Sequence, residues 1–275
     1  MMETPADRSY LVRRAEGLLR VTFNRPEQGN SLPPSAVPEL TALLRAAQAD
    51  RSVRCLMFDG AGKIFSAGGD VGSFAKTLDQ EIALRQEDFA RRLTNLAALV
   101  EALADFDRPV VAAIRGAVAG AGLLYPLIAD CSLGDASATF LFAHQRVGLS
   151  PDAGVSYFLP RAVGVRTART LLLTAAKLDA NEAHRLGILS RVVAAEALEE
   201  EFMSTARRFA AAPQCAITSA KRLVNAALER PLAEQLRAET AQIVQCVADP
   251  DFAEGVRAFL EKRRAEFPSA RASSD

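Results

Sequence analysis

PVVAAIRGAVAGAG, residues 109–122, runs from a β-rich segment through Arg-Gly and a short link into a cluster of alanines and glycines, and an apolar helix is expected at 123–129. The same order occurs once earlier in VRCLMFDGAGKIFSAGGD, residues 53–70. Strand, glycine, extended link, small-residue cluster and helix, written twice, predict an α/β fold in which both clusters do the same job. Outward from these units, residues 10–24 read as two β-rich pieces about Glu16-Gly17, a hairpin. A helix is expected over 34–50, where Val37, Leu40, Leu43, Leu44 and Ala47 recur at helical spacing. Residues 80–106 read as mostly helical. Short strands are expected at 131–133 and 139–142. From Asp152 onward the pattern is helical, apart from a strand at 189–193.

The chain has 275 residues, enough for one large core with an appendage. Its 33 basic and 33 acidic residues cancel and are interspersed, which argues against a nucleic-acid surface or a polybasic membrane anchor. Small molecules and copies of itself are the expected partners. Four cysteines stand far apart with no C-x-x-C pair; they read as buried thiols of a reducing compartment, with no metal site. The first ten residues lack the apolar stretch of a secretion signal. The longest uncharged apolar run, 116–129, falls short of the ~20 residues that cross a bilayer. A cytoplasmic protein is expected.

Neither glycine cluster fits a nucleotide motif: Gly120-Ala121-Gly122 has Tyr125 where the dinucleotide fingerprint needs a third glycine, and Gly60-Ala61-Gly62-Lys63 lacks the rest of a P-loop. One reading is structural, since small residues permit tight strand-to-helix turns. The other is chemical. Glycine or alanine at a turn that opens a helix leaves its amide accessible at the positive end of the helix dipole. Two such amides on one oxygen form an oxyanion hole, each donor lowering a barrier by roughly 3–4 kcal/mol. Asp152, in GLSPDAG, reads locally as a helix N-cap.

Several motifs then resemble one family: Phe23-Asn24-Arg25-Pro26 with Asn30-Ser31-Leu32, the stretch Phe65-Ser66-Ala67-Gly68-Gly69-Asp70, and Gly116 to Gly122 with Ala129-Asp130-Cys131. Gly148-Leu149-Ser150-Pro151-Asp152, Leu159-Pro160-Arg161, the segment at 183–187 and that at 259–263 follow in order. Together they are similar to the crotonase (enoyl-CoA hydratase/isomerase) superfamily over nearly the whole chain, with closest likeness to phenylacetate-type epoxyphenylacetyl-CoA and enoyl-CoA isomerases. The resemblance implies a spiral of ββα units over 1–200 holding an acyl-CoA site, and a helical region, 201–275, that assembles trimers or hexamers. It implies no cofactor beyond the coenzyme A of the substrate. The amides of Gly69 and Ala121 would hold the thioester oxygen, with Ala67 and Gly68 beside them. Arg25 and Lys262 or Arg263 would meet CoA phosphates, a solvated face being the alternative for each.

Hydratases of this family use two glutamates, and their positions are taken here by Leu124 and His144. Asp152 falls where related isomerases carry an acid/base aspartate. A single carboxylate can move a proton from C2 to C4 of an enoyl thioester while the oxyanion hole holds the dienolate. Apolar neighbours such as Val155 and Phe158 would desolvate it. His144 could orient Asp152 or act as a second acid, or simply pack; His184, Asp70 and Asp130 read as structural. The expected activity is thus an acyl-CoA isomerase, which moves a double bond or opens an epoxide-derived ring. Weak hydration, aryl-CoA dehalogenation and thioester binding without chemistry are the alternatives. The segment 71–91 is expected to cover the acyl group, with Phe74, Leu84 and Phe89 as walls.

Overall fold

The structure, a computed structural model, describes residues 9–271; the leader reading concerns residues that lie mainly outside that range. Strands β1 (Tyr10–Ala15) and β2 (Leu18–Phe23) form the expected antiparallel hairpin. Its turn places Glu16 and Gly17 at φ 53° and 73°, the left-handed pair a two-residue hairpin loop requires. Helix α1 (Ala36–Ala49) buries Val37, Leu40, Leu44 and Ala47, a single face by their spacing of three and four. Strand β3 (Cys55–Gly60) then pairs parallel with β2.

After the short α2 (Val71–Ala75) comes the long α3 (Ile82–Ala104), of which only Leu99, Ala102 and Leu103 are fully buried. Strand β4 (Val110–Ile114) is buried at every residue, as a parallel strand covered on both faces must be. Strand β5 (Ala117–Ala119), a 3-10 turn over Gly120–Leu123 and α4 (Leu124–Ile128) follow. Beyond them lie β6 (Cys131–Gly134), β7 (Thr139–Leu141), α5 (Val155–Val163) and α6 (Val165–Leu173). Strand β8 (Lys177–Asp179), α7 (Ala180–Arg185) and β9 (Arg191–Val192) complete the mixed part.

A six-stranded sheet runs β1-β2-β3-β4-β6-β9, parallel except for the first pair, and a second sheet runs β5-β7-β8. A bridge from Ser66 to Val118 brings the first glycine cluster alongside β5. Each winding of the spiral thus supplies one strand to each layer: 55–60 with 66, 110–114 with 117–119, and 131–134 with 139–141. Phe23, Phe58, Phe65 and Tyr125 pack between them, with ring centroids 4.7–6.2 Å apart. Such pairs add about 0.5–1.5 kcal/mol each beyond burial, so the floor beneath both clusters is stiff.

Helices α8 (Leu198–Ala210), α9 (Gln214–Ala226), α10 (Leu232–Val247), α11 (Pro250–Leu260) and α12 (Pro268–Arg271) end the chain. The boundary expected at residue 200 falls inside α8, whose Leu198, Phe202 and Ala206 pack on β3, β4 and β6 in a second core. From α9 onward no residue joins either core cluster. Strands β5 and β8 were not expected, and the strand at 189–193 shortens to two residues. A three-residue strand carries too few side chains to show a period; pairing with β7 makes it. Among the described residues no helix is long and apolar enough to cross a membrane.

Candidate active site

The first cluster is fastened before it is exposed. Asn30, 1% exposed, spans the loop by donating Nδ2 to the carbonyls of Ala61 and Ile64 at 2.9 and 2.6 Å while its Oδ1 accepts from the Arg25 amide at 2.8 Å. Ser66 Oγ donates to Asn30 O and accepts from Gly68 N, both at 3.2 Å. The Ala67 amide donates to Gly29 O at 2.7 Å. Ala67 is exposed and does not line the cavity, and the Gly68 amide is spent on Ser66. Both amides are engaged within the loop, so Ala67 and Gly68 add no N–H donor of their own beside Gly69.

Gly69 and Ala121 differ. Neither amide donates to an acceptor among the described residues. Ala121 is second in the 3-10 turn, so helix geometry itself leaves its N–H without a partner. Gly69 precedes Asp70, the N-cap of α2, whose carboxylate accepts from Ser73 N at 3.1 Å. The two clusters touch through Gly68, at φ +85°: a Cβ there would lie 2.4 Å from Ala119 O and 2.8 Å from Ala121 N. Glycine is required for this approach.

Gly69 and Ala121 both line a cavity of about 190 Å³ that also reaches Asp152. Its walls are mostly apolar, with Leu32, Phe74, Phe89, Leu96, Leu124 and Tyr125 among them. Phe74 and Phe89 pack with centroids 5.1 Å apart and rings tilted by 48° as the α2–α3 side of the wall, as expected; Leu84 is exposed and lies outside it. Burial pushes the Tyr125 phenol up, so it stays protonated.

Asp152 does not cap a helix. Helix α5 starts at Val155 behind Gly154, with no side-chain cap. Ala153 and Gly154 sit at φ 49° and 70°, two successive left-handed residues that reverse the chain after the aspartate. The carboxylate turns to the cavity instead, where Oδ1 lies 3.0 Å from His144 Nε2. His144 is buried, at 8% exposure, and its Nε2 stands 4.0 Å from where a Cβ on Gly120 would be. That contact sets the His–Asp pair against the second cluster. Leu149 and Pro151 line the cavity with Asp152 whereas Val155 and Phe158 do not, and the aspartate keeps 31% of its side chain accessible.

The remaining candidates separate by position. Asp70 lines the cavity but is held as a cap and by Arg25, whose guanidinium lies 3.4 Å away and donates to Ser31 O at 3.1 Å. Lys262 is exposed in the turn after α11 and is not a wall residue. His184 Nδ1 meets Leu189 O at 3.0 Å, and Asp130 accepts from Val110 N and Lys221; both are structural. No group of metal-ligating residues occurs among the described residues. Arg92 was missed: it lines the cavity, donates to Ser73 Oγ at 3.0 Å and pairs with Asp88. One of three arginines on an amphipathic helix, with Arg85 and Arg91, gives no sign of such a place.

With this geometry in hand, comparison with known proteins is informative. A family model described as enoyl-CoA hydratase/isomerase matches residues 13–270. A protein from Rhodobacter capsulatus described as a probable enoyl-CoA hydratase is 37% identical, over 92% of this chain and 95% of that one. The 1,2-epoxyphenylacetyl-CoA isomerase of Escherichia coli K12 is 33% identical, with the same shares covered. A solved structure from Streptomyces coelicolor A3(2), provisionally named an enoyl-CoA hydratase, superposes with TM-score 0.89 at 34% identity, covering 98% of this chain and 97% of that one.

Proposed function

The chain belongs to the enoyl-CoA hydratase/isomerase family, and from that premise we propose that it is an acyl-CoA isomerase that moves a double bond by proton transfer through Asp152. The observation that carries this reading is the Asp152 carboxylate, held by His144 and lining one cavity with Gly69 and Ala121, whose amides have no acceptor among the described residues. The thioester carbonyl accepts from Gly69 and Ala121. Removal of a C2 proton by Asp152 sends negative charge to that oxygen, where donors already in place stabilise it without reorganisation. Return of the proton at C4 completes the migration.

Hydration is disfavoured at Leu124, which is 1% exposed and lines the wall at the position where the family resemblance expects a hydratase glutamate. A cavity near 190 Å³ suits an acyl group of about one ring, since ~150 Å³ of apolar space takes benzene. Ring opening on an epoxide-derived acyl group, the reaction named for the E. coli relative, therefore fits the same space. Self-association into trimers is supported by bare apolar side chains on the last helices, with Leu232, Phe259 and Leu260 each at least 73% exposed. Lys262 then belongs to the CoA site through a neighbouring copy.

The test is turnover of a 3-enoyl-CoA to its 2-enoyl isomer. Asp152→Asn should lose about 10²–10⁴-fold in kcat while binding of the thioester persists. Equal turnover by Asp152→Asn would defeat the assignment; tight binding with no product from 2-enoyl, 3-enoyl and aryl thioesters would favour a non-catalytic binder.

A further inference from the structure

His144 has one nitrogen engaged and one bare. Nε2 lies 3.0 Å from Asp152 Oδ1, whereas Nδ1 is shielded from solvent with no hydrogen-bond partner. A proton on Nδ1 would be a buried donor without an acceptor, which is costly, while a bare lone pair there costs less. The geometry therefore puts the proton on Nε2, donating to Oδ1, and leaves Nδ1 bare. A histidine relays a proton only by releasing from one nitrogen what it takes at the other, and Nδ1 leads nowhere.

Resting on the isomerase reading, we propose that His144 is a positioning residue that holds Asp152 Oδ1 and confines proton transfer to Oδ2, which returns the abstracted proton to the same substrate molecule. In the first step the C2–H bond breaks and its electron pair enters the dienolate as the Oδ2–H bond forms. In the second, Oδ2–H breaks, C4–H forms with a pair from the dienolate, and the double bond stands at C2–C3. No proton leaves through His144. The acyl chain, seated against the apolar side chains of Leu124, Leu149 and Pro151, covers the accessible part of the carboxylate during the interval.

The experiment is conversion of a 3-enoyl-CoA in D2O, stopped at low conversion, with deuterium at C4 of the product counted by mass spectrometry. The wild-type chain should give well under one deuterium per product. His144→Phe should lower kcat by about tenfold to a hundredfold, the worth of a hydrogen bond to a charged group, and raise deuterium uptake towards one. His144→Gln, which keeps an N–H donor, should recover part of both. Wild-type turnover with one full deuterium per product overturns proton return but leaves the isomerase reading intact. So does a His144→Phe variant with unchanged kcat and unchanged isotope content. Absence of any migration by the wild-type chain sinks the isomerase reading itself, and this inference with it.

A different feature stands independently of the site. Helices α9 and α10 form an antiparallel hairpin joined at 227–231, and Cys215 and Cys246 face each other at its open end with sulfurs 3.2 Å apart. We infer that this pair is a disulfide-forming modification site: the two thiols and one low-molecular-weight disulfide give the intrachain bond and two small thiols. Burial and the neighbouring thiol push Cys215 up to about 11, so its thiolate forms more readily as pH rises and oxidation accelerates with pH. Oxidised glutathione applied to the full chain at pH 7 and pH 9 should yield one 215–246 cross-linked peptide, faster at pH 9, with a melting rise of roughly 5 °C or more from closing the loop. Cys215→Ser and Cys246→Ser should each abolish both effects. Recovery of both cysteines as separately alkylated peptides after oxidation at pH 9 would overturn the inference.

Discussion

Substituting Gly68 by alanine tests whether the two clusters work as one device. The residue is at φ +85°, so any side chain costs about 1–2 kcal/mol in backbone conformation. The added carbon would also stand 2.4 Å from Ala119 O and 2.8 Å from Ala121 N, distances at which backbone must move. Because the crowded atoms are the Ala121 amide and the carbonyl just before the 3-10 turn, the movement takes that donor off the oxyanion. Loss of one such donor is worth roughly 3–4 kcal/mol, or 10²–10³ in kcat. Gly164→Ala is the control: its φ is +79°, yet nothing lies within 4 Å of a Cβ there. Both variants should lose stability by thermal or denaturant unfolding, but only Gly68→Ala should lose kcat for double-bond migration. If Gly68→Ala unfolds more easily yet turns over at the wild-type rate, the Ala121 amide is not the donor claimed for it.

A Cβ on Gly69 would meet the Phe74 ring at 3.0 Å, a side chain that can swing away. Gly69→Ala should therefore fold with modest loss and reduced kcat, and Phe74→Ala should restore part of that kcat in the double variant, a coupling read by a double-mutant cycle. Burial alone would raise the Asp135 carboxyl, but hydrogen bonds from Ser137 and the Arg115 guanidinium hold it below the ordinary range. Its stabilisation is then full above the unfolded value, near 4, and is lost as pH falls towards the lower folded value. Denaturant titrations of Asp135→Asn against wild type should accordingly show a deficit above pH ~5 that shrinks on acidification. Sedimentation should give a mass of three or six chains, and Phe259→Asp with Leu260→Asp should reduce it; a monomeric wild-type chain contradicts assembly through these helices.

The repeat at 53–70 and 109–122 was legible because each winding must turn sharply between layers, and only small residues permit the Gly68 contact. Long elements such as α1 and α3 showed through their periodicity to within about two residues at each end. What stayed hidden depends on contacts across the chain. Strands β5 and β8 exist through β7, Asn30 stitches a loop thirty residues away, and a 3-10 turn at 120–123 precedes the expected helix. Asp152 shows the limit most directly. Its neighbours look like a helix start, yet two left-handed residues behind it turn its carboxylate from the helix to His144. Local propensity read the residue type correctly and its geometry wrongly.

The same carboxylate decides between moving a double bond and adding water. A water held for attack needs two to four polar partners. Near Asp152, one oxygen is engaged by His144, and Leu124, another residue of the cavity wall, offers a water no hydrogen bond. Leu124→Glu supplies the missing acceptor at a position that is 1% exposed. Desolvation will make the new carboxyl hold its proton more tightly, so its contribution as a base should grow with pH above neutrality. In that range, release of 3-hydroxyacyl-CoA from a 2-enoyl-CoA should rise on the order of 10²-fold, the worth of one positioned acid or base, while migration of a 3-enoyl double bond falls. Wild-type hydration already as fast as isomerisation would mean that water finds partners in this wall that the geometry does not provide, and the assignment of Leu124 as the residue that keeps the site dry would fail.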